Sequence, residues 1–384
     1  MDRIGADDVN DLAAGAALLG SGGGGDPHVV APLLHRAIEA GGPVPVVTAS
    51  AIPAHSLVVG VVLGGTPAAL ADSPPGTDAA RQALRMVERH VGGQAVAVLP
   101  ISVGGMNALF APATAGELGL PCVDADGMGR TLPRLDMTLF SLAGAQASPL
   151  AVVDVTGSGV VVAARTDGET ERLARTAVSA LGHTAVIAAY PMTAAACTAY
   201  AALGSLSYCR ELGRRALSGP SGGGVSDDLL RFSTADVLFS GQVVDVTRTS
   251  TDGRMRGAVT VEEASDDGHL MRIDFQDQYL LATRDGVPVA SAPDLIALID
   301  ASAGVPLRVD AIGHGRQVEV LVVPAHERWR DPDGLALAGP RAYGFDLPYV
   351  ARTPTADLPR TPPARPGAPR AGRSAGQDPE GGEP

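Results

Sequence analysis

Along the first half of the chain, apolar residues recur by turns at helical and at strand spacing. Asp7 to Leu19 has the helical period and runs into Gly20-Ser21-Gly22-Gly23-Gly24-Gly25. Asp26 followed by Pro27 is a strong helix start, because Asp accepts the first free N–H groups and Pro has none to lose. A helix is therefore expected from about Pro27 to Ala40. Strands are expected at Val44–Ala49 and Leu57–Leu63, a helix at Asp78–Val91, and a buried strand at Ala95–Ile101. A helix at Ala108–Leu118 and a short strand at Pro121–Val123 follow. Leu150–Val155 and Gly159–Ala164 read as paired strands around Thr156-Gly157-Ser158. A helix at Gly168–Leu181, a strand at Thr184–Ala189 and one long helix at Thr193–Leu217 complete this half. Alternating helix and strand patterns mark an α/β layered domain over residues 1–217.

Ser218 to Asp228 is rich in Gly and Ser, and beyond it the period shortens. Asp236–Arg248, Met255–Val261, Leu270–Phe275, Tyr279–Thr283 and Val287–Ala290 are β-rich runs separated by Asp-Gly turns. A short helix at Pro293–Ala301 and strands at Leu307–Ala311 and Gln317–Val323 are expected next. Residues 229–350 thus read as a mostly antiparallel β, barrel-like domain. The remainder, 351–384, is rich in Pro, Gly and Arg and is expected to be a disordered tail.

Composition narrows the chemistry. All 29 basic residues are Arg, which removes Schiff-base catalysis, a pyridoxal-phosphate anchor and the P-loop lysine. A net charge of −13 without a basic block argues against nucleic acid as a partner. The 3 cysteines, Cys122, Cys197 and Cys209, form no CxxC pair, so neither a disulfide framework nor a structural zinc site is expected. No signal pattern and no apolar run of membrane-spanning length is seen, so the expected location is cytoplasmic.

Three motifs carry candidate chemistry. In Leu19 to His28 the spacing Gly20, Gly22, Gly25 satisfies GxGxxG, but a helix rather than a strand precedes it, so no nucleotide is expected. The amides of Gly22, Gly23, Gly24 and Gly25, beside Asp26, instead suit an anion or oxyanion seat; the plain alternative is a tight helix–helix turn. In Pro100 to Leu109, Gly104 and Gly105 offer further amides, and Asn107 is either a helix cap or a ligand contact. In Leu120 to Pro133, Asp124 and Asp126 stand at i, i+2 after a buried strand, with Arg130 close behind. They suggest an acid/base pair with an anion anchor, or a structural Asp–Arg pair closing a Gly turn. Asp124, Asp126 and His28 are suitable ligand types, so a divalent metal stays open. Cys122 sits in an apolar strand, where a thiol behaves as a small hydrophobe.

Taken in order, LGSGGGGDP, VGGMNAL and LPCVDADGMGRTLP resemble the S-methyl thiohydantoin desulfurase family. So do Phe239 to Val246, Phe275 to Ala282, Ala292 to Ile296 and Gly339 to Gly344, and the likeness spans about residues 6 to 350. The resemblance implies an α/β domain followed by a β-barrel-like one, and hydrolytic loss of sulfur from a thiohydantoin or related cyclic imide. It also implies a hydantoinase- or oxoprolinase-type partner protein; self-association into a homo-oligomer stays open. The chain departs from the family pattern at Ser102 and Gln278, where the resemblance gives acidic residues, and at Asp277, where it gives Asn.

On this reading water attacks C2 of the ring. Asp126, assisted by Asp124, takes its proton, the Gly22–Gly25 and Gly104-Gly105 amides hold the tetrahedral anion, and Arg130 grips the substrate. The alternative is a non-catalytic ligand-binding or partner subunit, favoured by the absent acids at Ser102 and Gln278.

Overall fold

The apolar runs of the first half assemble into one eight-stranded mixed sheet in the computed structural model. Its order is Arg3–Ile4, Val44–Val47, Cys122–Val123, Ala95–Pro100, Leu57–Gly65, Thr184–Thr193, Leu150–Asp154, Gly159–Val162. The four strands from Val44–Val47 to Leu57–Gly65 run parallel, and Thr184–Thr193 is antiparallel to both of its neighbours. Residues 1–219, 224–251, 254–263 and 268–351 are described. The expected tail therefore lies outside the described residues except for Ala351, as do residues 220–223 of the Gly/Ser-rich break.

Both faces of this sheet are covered, which is why its strands read as nearly continuous apolar runs. Val59 and Val61 pack into one core with helices Asp8–Leu19, Pro27–Gly41 and Asn107–Leu118. Val58 packs into a second core with Leu99, Phe140 and Tyr190. Helix Asn107–Leu118 is buried continuously from Asn107 to Ala115, so its amphipathic signal is weak and its neighbours surround it.

The later runs form a seven-stranded, wholly antiparallel sheet ordered Val287–Ser291, Tyr279–Arg284, Leu270–Gln276, Arg254–Glu263, Asp236–Thr251, Gln317–Val323, Leu295–Asp300. Register shifts at Val237/Phe239 and Val243/Asp245 bend the long strand and curl the sheet into a half-barrel. Phe239, Val259, Ile273 and Tyr279 fill its concave face.

Three expected elements differ. The long helix at Thr193–Leu217 is two helices, Ala194–Tyr200 and Ser205–Leu217, separated by the two-residue strand Ala202–Leu203. That strand pairs with Ala125–Asp126, and Gly204 turns the chain with φ +75°. Tertiary pairing with the acidic motif thus overrides local helix propensity. The expected helix at Pro293–Ala301 is strand Leu295–Asp300, all six residues of it buried. A short apolar run does not distinguish a buried strand from a buried helix by period alone. The expected strand at Leu307–Ala311 is a loop: Val309 donates its N–H to the Gly22 carbonyl (3.0 Å) rather than to a neighbouring strand.

The glycine run joins the two sheets. Tyr279 N–H donates to the Ser21 carbonyl (2.8 Å), and Ser21 Oγ donates to the Ile296 carbonyl (2.7 Å). A Cβ on Gly22 would stand 2.5 Å from the Tyr279 ring, at a φ of +80°. One on Gly23 would stand 2.4 Å from the Asp277 carbonyl oxygen. Only glycine allows so close an approach of two backbones.

Candidate functional site

Where the two sheets face one another they leave a cavity of about 920 Å³. The first domain contributes Gly24, Ser102, Asn107, Thr131, Arg134 and one face of helix Asp167–Ala180; the second contributes Arg254, Asp277 and Gln278. Its charged lining is Arg134, Arg172, Arg175 and Arg254 against Glu171 and Asp277. A chain with net charge −13 therefore encloses a cationic space, which concentrates anions.

Two of the arginines are already matched. Arg134 pairs with Asp136 through two hydrogen bonds of 2.9 and 2.8 Å. Arg175 pairs with Glu171 one helical turn away, and Glu171 also accepts the Leu135 N–H (2.9 Å), tying the helix to the loop. Arg254 has no ion-pair partner among the described residues. Burial and the nearby Arg175 lower its pKa.

Asp277 occupies a left-handed turn with φ +58°, which Asp tolerates better than most residues. Its N–H donates to the Met255 carbonyl (2.7 Å), and its Oδ1 accepts the Met255 N–H (2.8 Å). Oδ2 makes no hydrogen bond among the described residues. Burial raises the Asp277 pKa, while the Met255 amide and the Arg254 and Arg175 guanidiniums act the other way. Beside it, Gln278 is 1 % exposed; its Oε1 accepts from Arg130 Nη2 (3.3 Å), and its Nε2 has no partner among the described residues. Because a guanidinium only donates, the amide must turn its oxygen toward Arg130 and its NH₂ away. In the same lining Ser102 Oγ and Thr131 Oγ1 are 3.3 Å apart.

The motifs expected to carry chemistry do converge, but most of their side chains face inward. Met106 N–H reaches the Gly24 carbonyl (2.9 Å), and Thr131 N–H reaches the Leu19 carbonyl (3.0 Å). Asp126 is fully buried and accepts from the amides of Val103, Met128 and Gly129 at 2.9–3.1 Å. Burial pushes its pKa up to about 7, against the pull of these amides. Asp124 accepts the Ser207 N–H (3.0 Å) and hydroxyl (2.5 Å) at the start of helix Ser205–Leu217. Arg130, also buried, donates to the carbonyls of Pro293 and Thr131 and to Gln278. None of the three lines the cavity.

The substrate-binding candidates divide. Gly24 and Asn107 line the cavity. Asn107 is no helix cap: it lies inside the helix, and its Oδ1 accepts the Leu63 N–H (2.8 Å). The Gly23 and Gly105 amides donate to Gly20 and Ala16 carbonyls, both at 2.8 Å. Gly25 packs on the Met106 side chain, Gly22 on Tyr279, and Gly104 on Leu19 and Thr131. Asp26 caps its helix through the His28 N–H and pairs with Arg308 (2.7 Å).

No group of three or more His, Cys, Asp or Glu side chains suited to a metal occurs among the described residues, and His28 is exposed. Cys122 is buried, and burial drives its thiol pKa upward, away from the reactive thiolate. Among the described residues no helix is long and apolar enough to cross a membrane.

Sequence reasoning missed Arg134, Glu171, Arg175 and Arg254. The i, i+4 spacing of Glu171 and Arg175 signals a helix-surface pair but not a cavity wall. Arg254 follows Asp252-Gly253 and reads as a turn flank.

A two-domain protein with a mixed α/β sheet, an antiparallel half-barrel and an arginine-lined cavity between them is thus defined. The chain belongs to the S-Me-THD-like family, matching its N-terminal domain over residues 7–164 and its C-terminal domain over 165–352. A crystal structure of a protein from Chromobacterium violaceum is similar, with a TM-score of 0.77 at 23% identity over 91% of this chain and 100% of that one. At that identity the likeness concerns the fold. No curated protein matches the chain.

Proposed function

We propose that this chain hydrolyses the bond between C2 and sulfur in a small thiohydantoin or S-methyl thiohydantoin ring held in the interdomain cavity, yielding a hydantoin. Membership of the S-Me-THD-like family supports the reaction class. The observation that carries the site is Asp277: a desolvated carboxyl in the cavity wall near guanidiniums, with one oxygen unbonded among the described residues. Asp126 and Asp124 act here as positioning residues for the loop and helix they bind, not as groups touching substrate.

In the S-methyl case Asp277 takes a proton from water as the water oxygen bonds to C2, and that proton passes to the ring nitrogen. The C2–sulfur bond then breaks, the new hydroxyl becomes the carbonyl, and its proton leaves with sulfur as methanethiol. In the unmethylated ring water adds across the C2–sulfur double bond, so its proton passes to sulfur instead of nitrogen; the C2–sulfur bond then breaks, and the hydroxyl proton leaves with sulfur as hydrogen sulfide. A general base contributes about 10²–10⁴-fold. Ser102, Thr131 and the Gln278 amide are the donors on hand for the developing oxyanion.

The test is to incubate the purified protein with a panel of thiohydantoins in ¹⁸O-water, with and without chelator, and follow thiol release and label in the hydantoin. Thiol release with label at C2, abolished in Asp277→Asn, is expected. A second reading, ligand binding without turnover, is favoured by uncharged Ser102 and Gln278 in the cavity wall, where the resemblance gives acids. Tight ring binding with no sulfur released would select it.

A further inference from the structure

We propose that the cavity ends in an apolar compartment built by Gly64, Leu70, Ala174, Val178 and Ile187, so that the ring this chain accepts carries a branched hydrocarbon substituent. This rests on the ring reading above and specifies its substrate.

Helix Asp167–Ala180 orders the two ends of the cavity. Glu171, Ala174, Arg175 and Val178 recur at helical spacing, and all four line it. Glu171 and Arg175 act on the charge of Arg254 across the domain boundary, and Arg175 acts on Asp277, so this stretch of the helix faces the reacting end. At a rise of about 1.5 Å per residue, Val178 lies about 5 Å further along the axis than Arg175 and about 10 Å further than Glu171. There the lining changes character. A Cβ on Gly64 would stand 2.8 Å from Ile187 Cδ1 and 3.1 Å from Val178 Cγ2, and one on Gly65 would stand 3.4 Å from Leu70 Cγ. Strands Leu57–Gly65 and Thr184–Thr193 and the helix thus meet over a residue with no side chain. Leu63, one residue earlier, gives its N–H to Asn107 Oδ1 (2.8 Å), which fixes this strand end.

No charged residue occurs from Val62 to Ala71 or from Thr184 to Cys209, the segments that supply Gly64, Leu70 and Ile187. Thr66 spends its hydroxyl on the Ala69 N–H (3.2 Å), and Ser179 and His183 are exposed. Water held against such a wall has few polar partners, so a hydrocarbon group that displaces it is favoured. Size agrees. The cavity of about 920 Å³ stands near the top of the range of about 300–1,000 Å³ for pockets that take drug-sized ligands. A bare five-membered ring at Asp277 fills little of it and leaves the far end without contacts.

The experiment uses the full chain and 2-thiohydantoins whose C5 carries methyl, isobutyl or carbamoylmethyl, the last two being nearly equal in size and shape. Sulfur release gives kcat/KM, and calorimetry gives the affinity of the matching hydantoins, which have no sulfur to lose. Wild type should favour isobutyl over both other groups by about 10-fold or more in each measurement, the low end for one added methylene in an apolar pocket. Val178→Thr keeps the shape but adds a hydroxyl, and should lower the preference for isobutyl over carbamoylmethyl. Gly64→Ala should push the Ile187 side chain into the compartment, weakening isobutyl and sparing methyl; it guards against a misfolded Thr variant. Equal handling of isobutyl and carbamoylmethyl by wild type, or a preference unmoved in both variants, would overturn the compartment. An isobutyl preference in hydantoin binding, in a protein that releases no sulfur from any ring, would keep the compartment and sink the hydrolysis. Sulfur released from all three rings at equal kcat/KM would do the reverse, and neither release nor binding of any ring would overturn both.

Discussion

Arg130 Nη2 lies 3.3 Å from Gln278 Oε1, so the arginine that follows the acidic motif of the first domain grips the β-turn of the second. Its remaining donors go to the Pro293 and Thr131 carbonyls. The side chain is 2 % exposed as a residue, and burial lowers its pKa to about 10, which leaves it charged at neutral pH. It is an interdomain clamp.

Arg130→Lys should therefore lower stability. A lysine cannot serve three acceptors set in a planar fan, and each buried acceptor left bare costs about 1–3 kcal/mol. Denaturant unfolding should show the loss. A variant as stable as wild type, but weaker for ligand, would restore Arg130 to the substrate site.

Asp126→Asn tests the amide nest. The carboxylate has only donors around it, whereas Asn must turn an NH₂ group toward some of them. One unmatched buried amide costs about 1–3 kcal/mol, and the melting temperature should fall. Because the folded pKa of Asp126 is raised, its ionisation on folding is unfavourable, and stability from this group is lost as pH rises through about 7. That pH-dependent component should vanish in the Asn variant; an unchanged stability–pH profile would contradict the assignment.

Asp277 acts as a base only when ionised, and its pKa is raised by burial. The acid limb of kcat/KM should thus lie above the ordinary aspartate value of about 3.9. Activity rises as pH climbs through the limb, and Asp277→Asn removes the limb with the activity. Turnover that persists in Asp277→Asn would disqualify this residue.

Parts of the site were legible and parts were not, for different reasons. Asp26-Pro27 announces a helix start from local chemistry alone, and Asp26 caps it. The convergence of the glycine run with Gly104-Gly105 follows from backbone contacts that only glycine permits, and glycine is visible in a sequence. Which way Asp126 and Arg130 point is another matter. A carboxylate in a reactive cleft and one inside an amide nest have the same residue type and the same i, i+2 spacing.

By itself the sequence determined most local elements of the first domain, the change from alternating helices and strands to antiparallel strands, the absence of lysine chemistry, and the family. Each is set by short-range period, turn residues, composition or ordered motifs. Tertiary structure decided that Thr193–Leu217 breaks in two to pair with Ala125–Asp126, and that Leu295–Asp300 is a strand. It also decided that the cavity wall holds Arg134, Arg175, Arg254 and Asp277 rather than Asp124, Asp126 and Arg130. These outcomes depend on contacts between residues as far apart as Gly22 and Val309 or Arg130 and Gln278. Such contacts form only when the two sheets close on one another, and burial then sorts which charges are matched inside and which face the ligand.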